Sequence, residues 1–166
     1  MDELVASDGL VGEAHRIRDD VEATLAAWQV PGEVELTGGL SVPGALTRGD
    51  VDLHLRVDPE SFDAVVARLR EVLPVASPQS WAATLAVFEV PGPLPTGLAV
   101  TPLHSEHDRR FRVAWEALGG DPELLARYNA LKSASVGTAD YEERKSRFFT
   151  AIVDAHPSGQ RGTGSK

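Results

Sequence analysis

The chain has 166 residues, enough for one ordinary domain with a real core and too few for two comfortable ones. Its formal net charge of −9 argues against non-specific binding to nucleic acid, because such affinity rests on neutralising phosphates. It has no cysteine, which excludes disulfides and thiolate metal sites and suits a reducing compartment.

No apolar run approaches the roughly 20 residues that a membrane-spanning helix needs. Met1-Asp2-Glu3 lacks the basic opening of a signal peptide, so the expectation is a cytoplasmic protein with no membrane partner. The first predicted element is an amphipathic helix over about 8–28, with Leu10, Ala14, Ile17, Val21 and Leu25 at steps of three and four and Pro31-Gly32 after it. A short strand at 34–37 runs into the glycine-rich turn Thr37-Gly38-Gly39-Leu40-Ser41-Val42-Pro43-Gly44.

Residues 50–57 alternate cleanly, with Val51, Leu53, Leu55 and Val57 on one face and Asp50, Asp52, His54 and Arg56 on the other. Asp58-Pro59-Glu60 reads as an N-cap with proline at N1, opening a helix that stops before Pro74. Strands are predicted at 81–90 and 98–103, joined by the stiff connection Pro91-Gly92-Pro93-Leu94-Pro95. Three helices close the chain: about 106–118 ending at Gly119-Gly120, then one from Asp121-Pro122 to about 135, then one from Asp140, where Asp140-x-x-Glu143 has capping-box spacing. The order α-β-β-α-β-β-α-α-α predicts an α+β fold with a small mixed sheet. The predicted domain is 1–156, sheet-bearing over about 1–104 and helical over about 105–156, followed by a small, polar, disordered tail at 157–166.

The glycine turn and the two aspartates carry the chemistry. Glycine lets backbone N–H groups approach a phosphate closely, having no Cβ in the way. Asp50 and Asp52, two residues apart on an extended segment, point to the same side and offer the oxygen ligands that Mg²⁺ or Mn²⁺ prefers. Gly38 and Gly39 would present N–H groups to a triphosphate, with Ser41 adding a hydroxyl. Sites of this kind take a third carboxylate as metal ligand or base, and Glu89 is the candidate. The alternative for Asp50 and Asp52 is a solvated strand face with Arg56 as counter-charge. His54 shares that face as a possible ligand or base, or as a histidine satisfied within the fold. His104-x-x-His107-Asp108 lacks the third ligand of a zinc site. Around Ser41, proline stands where a hydrolase nucleophile elbow needs its second glycine. Neither a Walker A loop nor a Rossmann fingerprint is present.

Three blocks make the chain resemble the GrpB-like branch of the nucleotidyltransferase superfamily. They are Gly38–Gly44 with Asp50-Val51-Asp52; Phe111–Leu118 followed by Asp121–Lys132; and Tyr141-Glu-Glu-Arg-Lys-Ser-Arg-Phe-Phe149. The resemblance covers about 34–153. It implies a nucleotidyltransferase-like fold that binds an NTP, ATP foremost, with Mg²⁺ and transfers a nucleotidyl or phosphoryl group to a small-molecule acceptor, as a monomer or homodimer. It also implies nucleotide contacts from Arg48, Lys132, Tyr141 and Lys145, with Lys145 one helical turn after Tyr141 on the same face. For the lysines the alternative is a polar helix surface. Arg109 and Arg110 could serve the same pocket.

The departures are informative too. Gly39 stands where the family has serine, and Arg48-Gly49 replaces Lys-Pro. The family's His-Leu-His-Val strand corresponds to Gly97-Leu-Ala-Val-Thr101 here, and the strand before it has no arginine. The acceptor pocket is therefore expected to differ, and two other readings remain: a non-catalytic, antitoxin-like binding module, or a cleft repurposed for unrelated small-molecule chemistry.

Overall fold

The computed structural model describes residues 3–156; the tail expected at 157–166 lies outside them. In chain order the elements are β1 (Val5–Ala6), α1 (Val11–Ala27), β2 (Glu33–Thr37), β3 (Leu46–Thr47), β4 (Val51–Val57), α2 (Phe62–Val72), β5 (Ala86–Val90), β6 (Thr96–Pro102), α3 (Glu106–Gly120), α4 (Pro122–Ser135) and α5 (Tyr141–Ala155). The larger elements follow the predicted order. β1 and β3 form a small antiparallel pair that the sequence reading missed, each being only two residues long.

The four-stranded sheet runs β2-β4-β6-β5, with β4 and β6 parallel and the other pairs antiparallel. Strand alternation gives it two different faces. Val51, Leu53, Leu55 and Val57 of β4, with Leu98 and Val100 of β6, are buried in one cluster with Ala14, Ile17, Val21 and Leu25 of α1 and Phe62, Val65 and Leu69 of α2. A second cluster joins α3, α4 and α5 through Ala114, Leu118, Tyr128, Phe149 and Ile152, and takes in Val42 of the glycine-rich turn and Ala45 just after it. The opposite sheet face carries Thr37, Asp52, His54, Arg56, Gly97, Ala99 and Thr101, and the cross-strand register sets Asp52 beside Gly97 and His54 beside Ala99.

Local chemistry explains where expectation and structure part. The strand predicted from Trp81 begins only at Ala86. The Trp81 indole donates to the carbonyls of Ala76 and Val87 (3.0 and 3.2 Å), and Ala82 and Leu85 close a tight turn before the strand. Asp58 makes no side-chain cap, because a 3-10 turn at Pro59–Ser61 intervenes before α2. α3 continues through Gly119-Gly120 and ends at Asp121, whose carboxylate accepts from the N–H groups of Glu123 and Leu124 and so starts α4 as expected. At Asp140 no side-chain cap forms; its carboxylate is taken by the Thr138 hydroxyl (2.8 Å) and Arg144 (2.7 Å).

The polar face of β4 is divided: Asp52 is exposed, whereas its two neighbours on that face are not. His54 and Arg56 are buried beneath α3. Arg56 makes a bidentate pair with Asp108 in the first turn of α3, Nε–Oδ1 at 2.6 Å and Nη2–Oδ2 at 3.1 Å. The backbone N–H of His104 adds a bond to the same carboxylate at 2.8 Å. Arg56 is thus the partner of Asp108, with Glu33 and Glu35 at 3.4 and 3.6 Å on its open side, rather than the counter-charge of Asp50 and Asp52. This pair fixes the start of the helical half against the sheet.

Candidate functional site

The glycine turn enters the site through one backbone requirement. Gly38 has φ +71°, and a Cβ built there would lie 2.2 Å from Oδ2 of Asp52. Only glycine fits, because a side chain would collide with the carboxylate and strain the backbone together. Gly38→Ala should destabilise the fold by more than about 1 kcal/mol and displace the Asp52 carboxylate. Urea unfolding together with ATP–Mg²⁺ titration checks this, and unchanged values for both would show that the turn does not constrain Asp52.

Ser41 lies at the end of the same turn. Its hydroxyl donates to the Gly38 carbonyl (2.7 Å), so it braces the turn, and it lies outside the wall of either chamber described below.

Asp50 and Asp52 come together with Arg48, Lys132, Tyr141 and Lys145 around a small chamber of about 40 Å³, also lined by Gly39, Thr47, Trp115 and Tyr128. β4 and the residue before it supply the carboxylates and α4 and α5 supply the lysines, so the chamber lies between the two halves of the fold. Tyr141 holds two of the cations: the Arg48 guanidinium is 5.7 Å from its ring centroid and the Lys145 ammonium 5.9 Å. Lys132 is buried, with its ammonium 5.1 Å from the Tyr128 ring centroid, and it donates to the Leu46 carbonyl at 2.9 Å. Asn129, on the same helix, accepts from Leu46 N–H (2.9 Å) and donates to the Gly44 carbonyl (3.0 Å). Lys132 therefore both docks α4 on β3 and faces the chamber.

Electrostatics couple these groups. The Asp52 side chain keeps solvent access along the cleft, yet protein crowds it, and this desolvation pushes its pKa up. Lys145 pulls it back, the neighbouring Asp50 charge raises it further, and Lys132 and Arg48 lower it. Burial, then the charges of Lys145 and Arg48, push the Lys132 ammonium down to about 8, against the opposing pull of Asp52 and Asp50. The chamber thus concentrates positive charge on a protein whose net charge is −9.

A second, larger chamber of about 320 Å³ adjoins the first and shares Asp52, Trp115 and Lys145 with it. Gly38 lines this larger chamber. Arg110 reaches it too, with its guanidinium bonded to the Thr150 hydroxyl (3.0 Å) and the Ser146 carbonyl (3.2 Å) of α5. Arg109 instead bonds the His156 carbonyl at 3.2 Å. Glu89 lies on β5 in register with Gly97, itself in register with Asp52. It shares their face of the sheet but lines neither chamber, and two strand spacings put it about 10 Å from Asp52. His54 bonds the Thr101 hydroxyl (2.7 Å) and stacks at a tilt on Phe111 with centroids 5.1 Å apart, so it is a satisfied interior histidine on that nitrogen.

Sequence reasoning did not assign Trp115, Tyr128, Thr47 or Phe111 to the site. Tyr128 and Trp115 stood inside the family-like blocks, and their ring centroids are 5.9 Å apart edge to face in the helical core. Their dual position, core on one side and cleft on the other, has no local signature.

The sheet order, the paired aspartates beside a glycine turn and the closing helices define a nucleotidyltransferase-like α+β fold. More specifically it is GrpB-like: the conserved protein GrpB from Enterococcus faecalis matches over 92% of this chain and 98% of its own, with a TM-score of 0.68 and 13% sequence identity. At that identity the likeness is one of fold. No family model and no curated protein sequence matches the chain. Among the described residues no helix is long and apolar enough to cross a membrane.

Proposed function

We propose that this protein binds a nucleoside triphosphate, ATP foremost, with its Mg²⁺ or Mn²⁺ and phosphates at the mouth of the small chamber, and transfers a nucleotidyl or phosphoryl group to a small-molecule acceptor in the adjoining larger one. The observation that carries the reading is the convergence of Asp50 and Asp52 with Arg48, Lys132 and Lys145 on one cavity. Carboxylates alone would repel a polyphosphate and cations alone would leave no place for a metal. The two together suit a metal–polyphosphate.

The donor set fits a hard cation. Asp50 and Asp52 offer carboxylate oxygens, and crowding makes the Asp52 charge costly even with lysines nearby, a deficit that a divalent ion would remove. When bound, the metal would neutralise charge on the phosphates and on the leaving oxygen. Lys145 and Arg48, held by the Tyr141 ring, would take the remaining phosphate charge as fixed cations, which is most of what phosphoryl chemistry asks of a protein. The acceptor oxygen would form the new P–O bond as the bond to the leaving phosphate breaks, its proton passing to cleft water. Glu89, outside both chambers, is given no part in holding the nucleotide.

Calorimetric titration with ATP should give saturable binding that needs Mg²⁺ and vanishes with EDTA, and labelled NTP with a metabolite extract should release pyrophosphate or ADP. Absence of saturable ATP–Mg²⁺ binding overturns the proposal. One observation favours a second reading, a nucleotide-binding module without transfer: the strand beside Asp52 presents Gly97 and Ala99 and no third carboxylate. Binding without turnover across all acceptors would select it.

A further inference from the structure

We propose that the larger chamber binds an uncharged, flat, mostly apolar group carrying a hydroxyl, with the hydroxyl directed at Asp52; as the acceptor's place, it rests on the transfer reading above. Three features of the chamber point there.

Its floor is bare. Gly97 and Ala99 of β6 lie in register with Asp52 and His54, and a Cβ at Gly97 would come no closer than 3.9 Å to Asp52 Oδ1. This strand therefore adds no side chain longer than a methyl group beneath the cavity, and a planar ligand can lie against the sheet.

Its walls are apolar. Leu85, Val87, Phe111, Ala114, Trp115 and Phe149 surround that floor, and the volume of about 320 Å³ falls in the range of small-molecule sites. Trp115 and Phe111 are aromatic members of this lining, and aromatic side chains pair well with planar rings.

Its two cations have other contacts. The Arg110 guanidinium is held to α5 by bonds to Thr150 and Ser146, and Lys145 is shared with the small chamber, where the reading above gives it to the phosphates. A carboxylate or phosphate placed deep among the apolar walls would lose its hydration. Beyond those two cations, the polar lining residues are Asp52 at the junction and Thr37, Ser77 and Ser80. A ligand hydroxyl at Asp52 would donate to its carboxylate, facing the nucleotide's chamber.

The test uses the full chain without nucleotide and four probes in calorimetry: 1-naphthol, 1-methoxynaphthalene, 1-naphthoate and myo-inositol. Saturable binding is expected for 1-naphthol, weaker binding for 1-methoxynaphthalene, which cannot donate to Asp52, and none for 1-naphthoate or myo-inositol. Ala99→Leu fills the floor and should weaken 1-naphthol by at least about tenfold. The wild-type probe series decides the matter by itself if that variant does not fold. Equal or tighter binding of 1-naphthoate or myo-inositol, no binding of 1-naphthol, or a folded Ala99→Leu that binds 1-naphthol as before would each overturn the inference. Loss of 1-naphthol with ATP–Mg²⁺ binding intact defeats this inference alone; 1-naphthol binding without any ATP–Mg²⁺ binding defeats the nucleotide reading and leaves the chamber assignment standing.

Discussion

Asp52→Asn is expected to abolish Mg²⁺-dependent nucleotide binding while leaving the unliganded protein as stable as the wild type or more so. The two effects have one cause. Asp52 lies at the junction of both chambers, and its ionised form is disfavoured by the crowding around it, so its pKa in the fold is raised. A carboxyl whose folded pKa exceeds its unfolded value loses stability as pH rises through that interval, because the unfolded state ionises first. An isosteric amide removes that cost and keeps the fit beside Gly38. It also removes the charge that a divalent cation needs. For wild type, nucleotide at 100 times its Kd should stabilise the fold by about 2.7 kcal/mol, which thermal unfolding reads directly. The variant should show no such shift, and Asp50→Asn should lose most of it. A full ATP–Mg²⁺ shift in Asp52→Asn would remove the metal from this place in the cleft.

That a single residue can be singled out so sharply reflects how much of the site is local in the chain. Gly38 lies in one turn, Asp52 in one strand and Asp50 just before it, and the predicted period-two alternation puts both aspartates on one side before any tertiary fold is known. The helices were legible for the same reason: Leu10, Ala14, Ile17, Val21 and Leu25 repeat at helical spacing, and all but Leu10 are buried within the first cluster. What escaped detection depends partly on distant partners and partly on competing contacts within a single turn. Arg56 looked like a counter-charge on a solvated face because the alternation is that of a half-exposed strand, while for His54 a ligand and a histidine satisfied within the fold were both legible. Both are covered because Asp108, 52 residues beyond Arg56, pairs with the guanidinium. Ser41 reads as a phosphate ligand, and in the fold its hydroxyl donates to the Gly38 carbonyl of its own turn. Asp140 had the spacing of a cap, yet Arg144, one helical turn on, competes for the same carboxylate.

The buried pair also yields the largest stability effect expected of a single substitution in this protein. Asp108→Ala would leave the Arg56 guanidinium under α3, with Glu33 and Glu35 at its rim as its remaining acidic partners. Removing one member of a buried pair costs about 3–5 kcal/mol, because the other charge stays desolvated. Replacing both, as Arg56→Met with Asp108→Leu, should recover much of that loss in urea unfolding. Equal instability of the single and double variants would show that the pair is not what holds α3 to the sheet. The same network predicts acid behaviour in two stages. Burial pushes the His54 pKa down to about 4, against the pull of Asp108, so the imidazole is neutral in the fold when the unfolded chain is already taking up a proton. Stability should therefore fall as pH drops from about 6.5 to 4, by up to about 3 kcal/mol, and His54→Gln should flatten that limb. Burial pushes Asp108 up, but Arg56 and the His104 N–H outweigh it and hold the carboxyl below its ordinary range. Its contribution is thus complete above the unfolded carboxylate pKa and lost only as pH falls through the lower folded value, after the histidine limb has run its course. A pH profile with no loss between 6.5 and 4 would mean that His54 accepts its proton within the fold, through the Nδ1 that has no hydrogen-bond partner among the described residues.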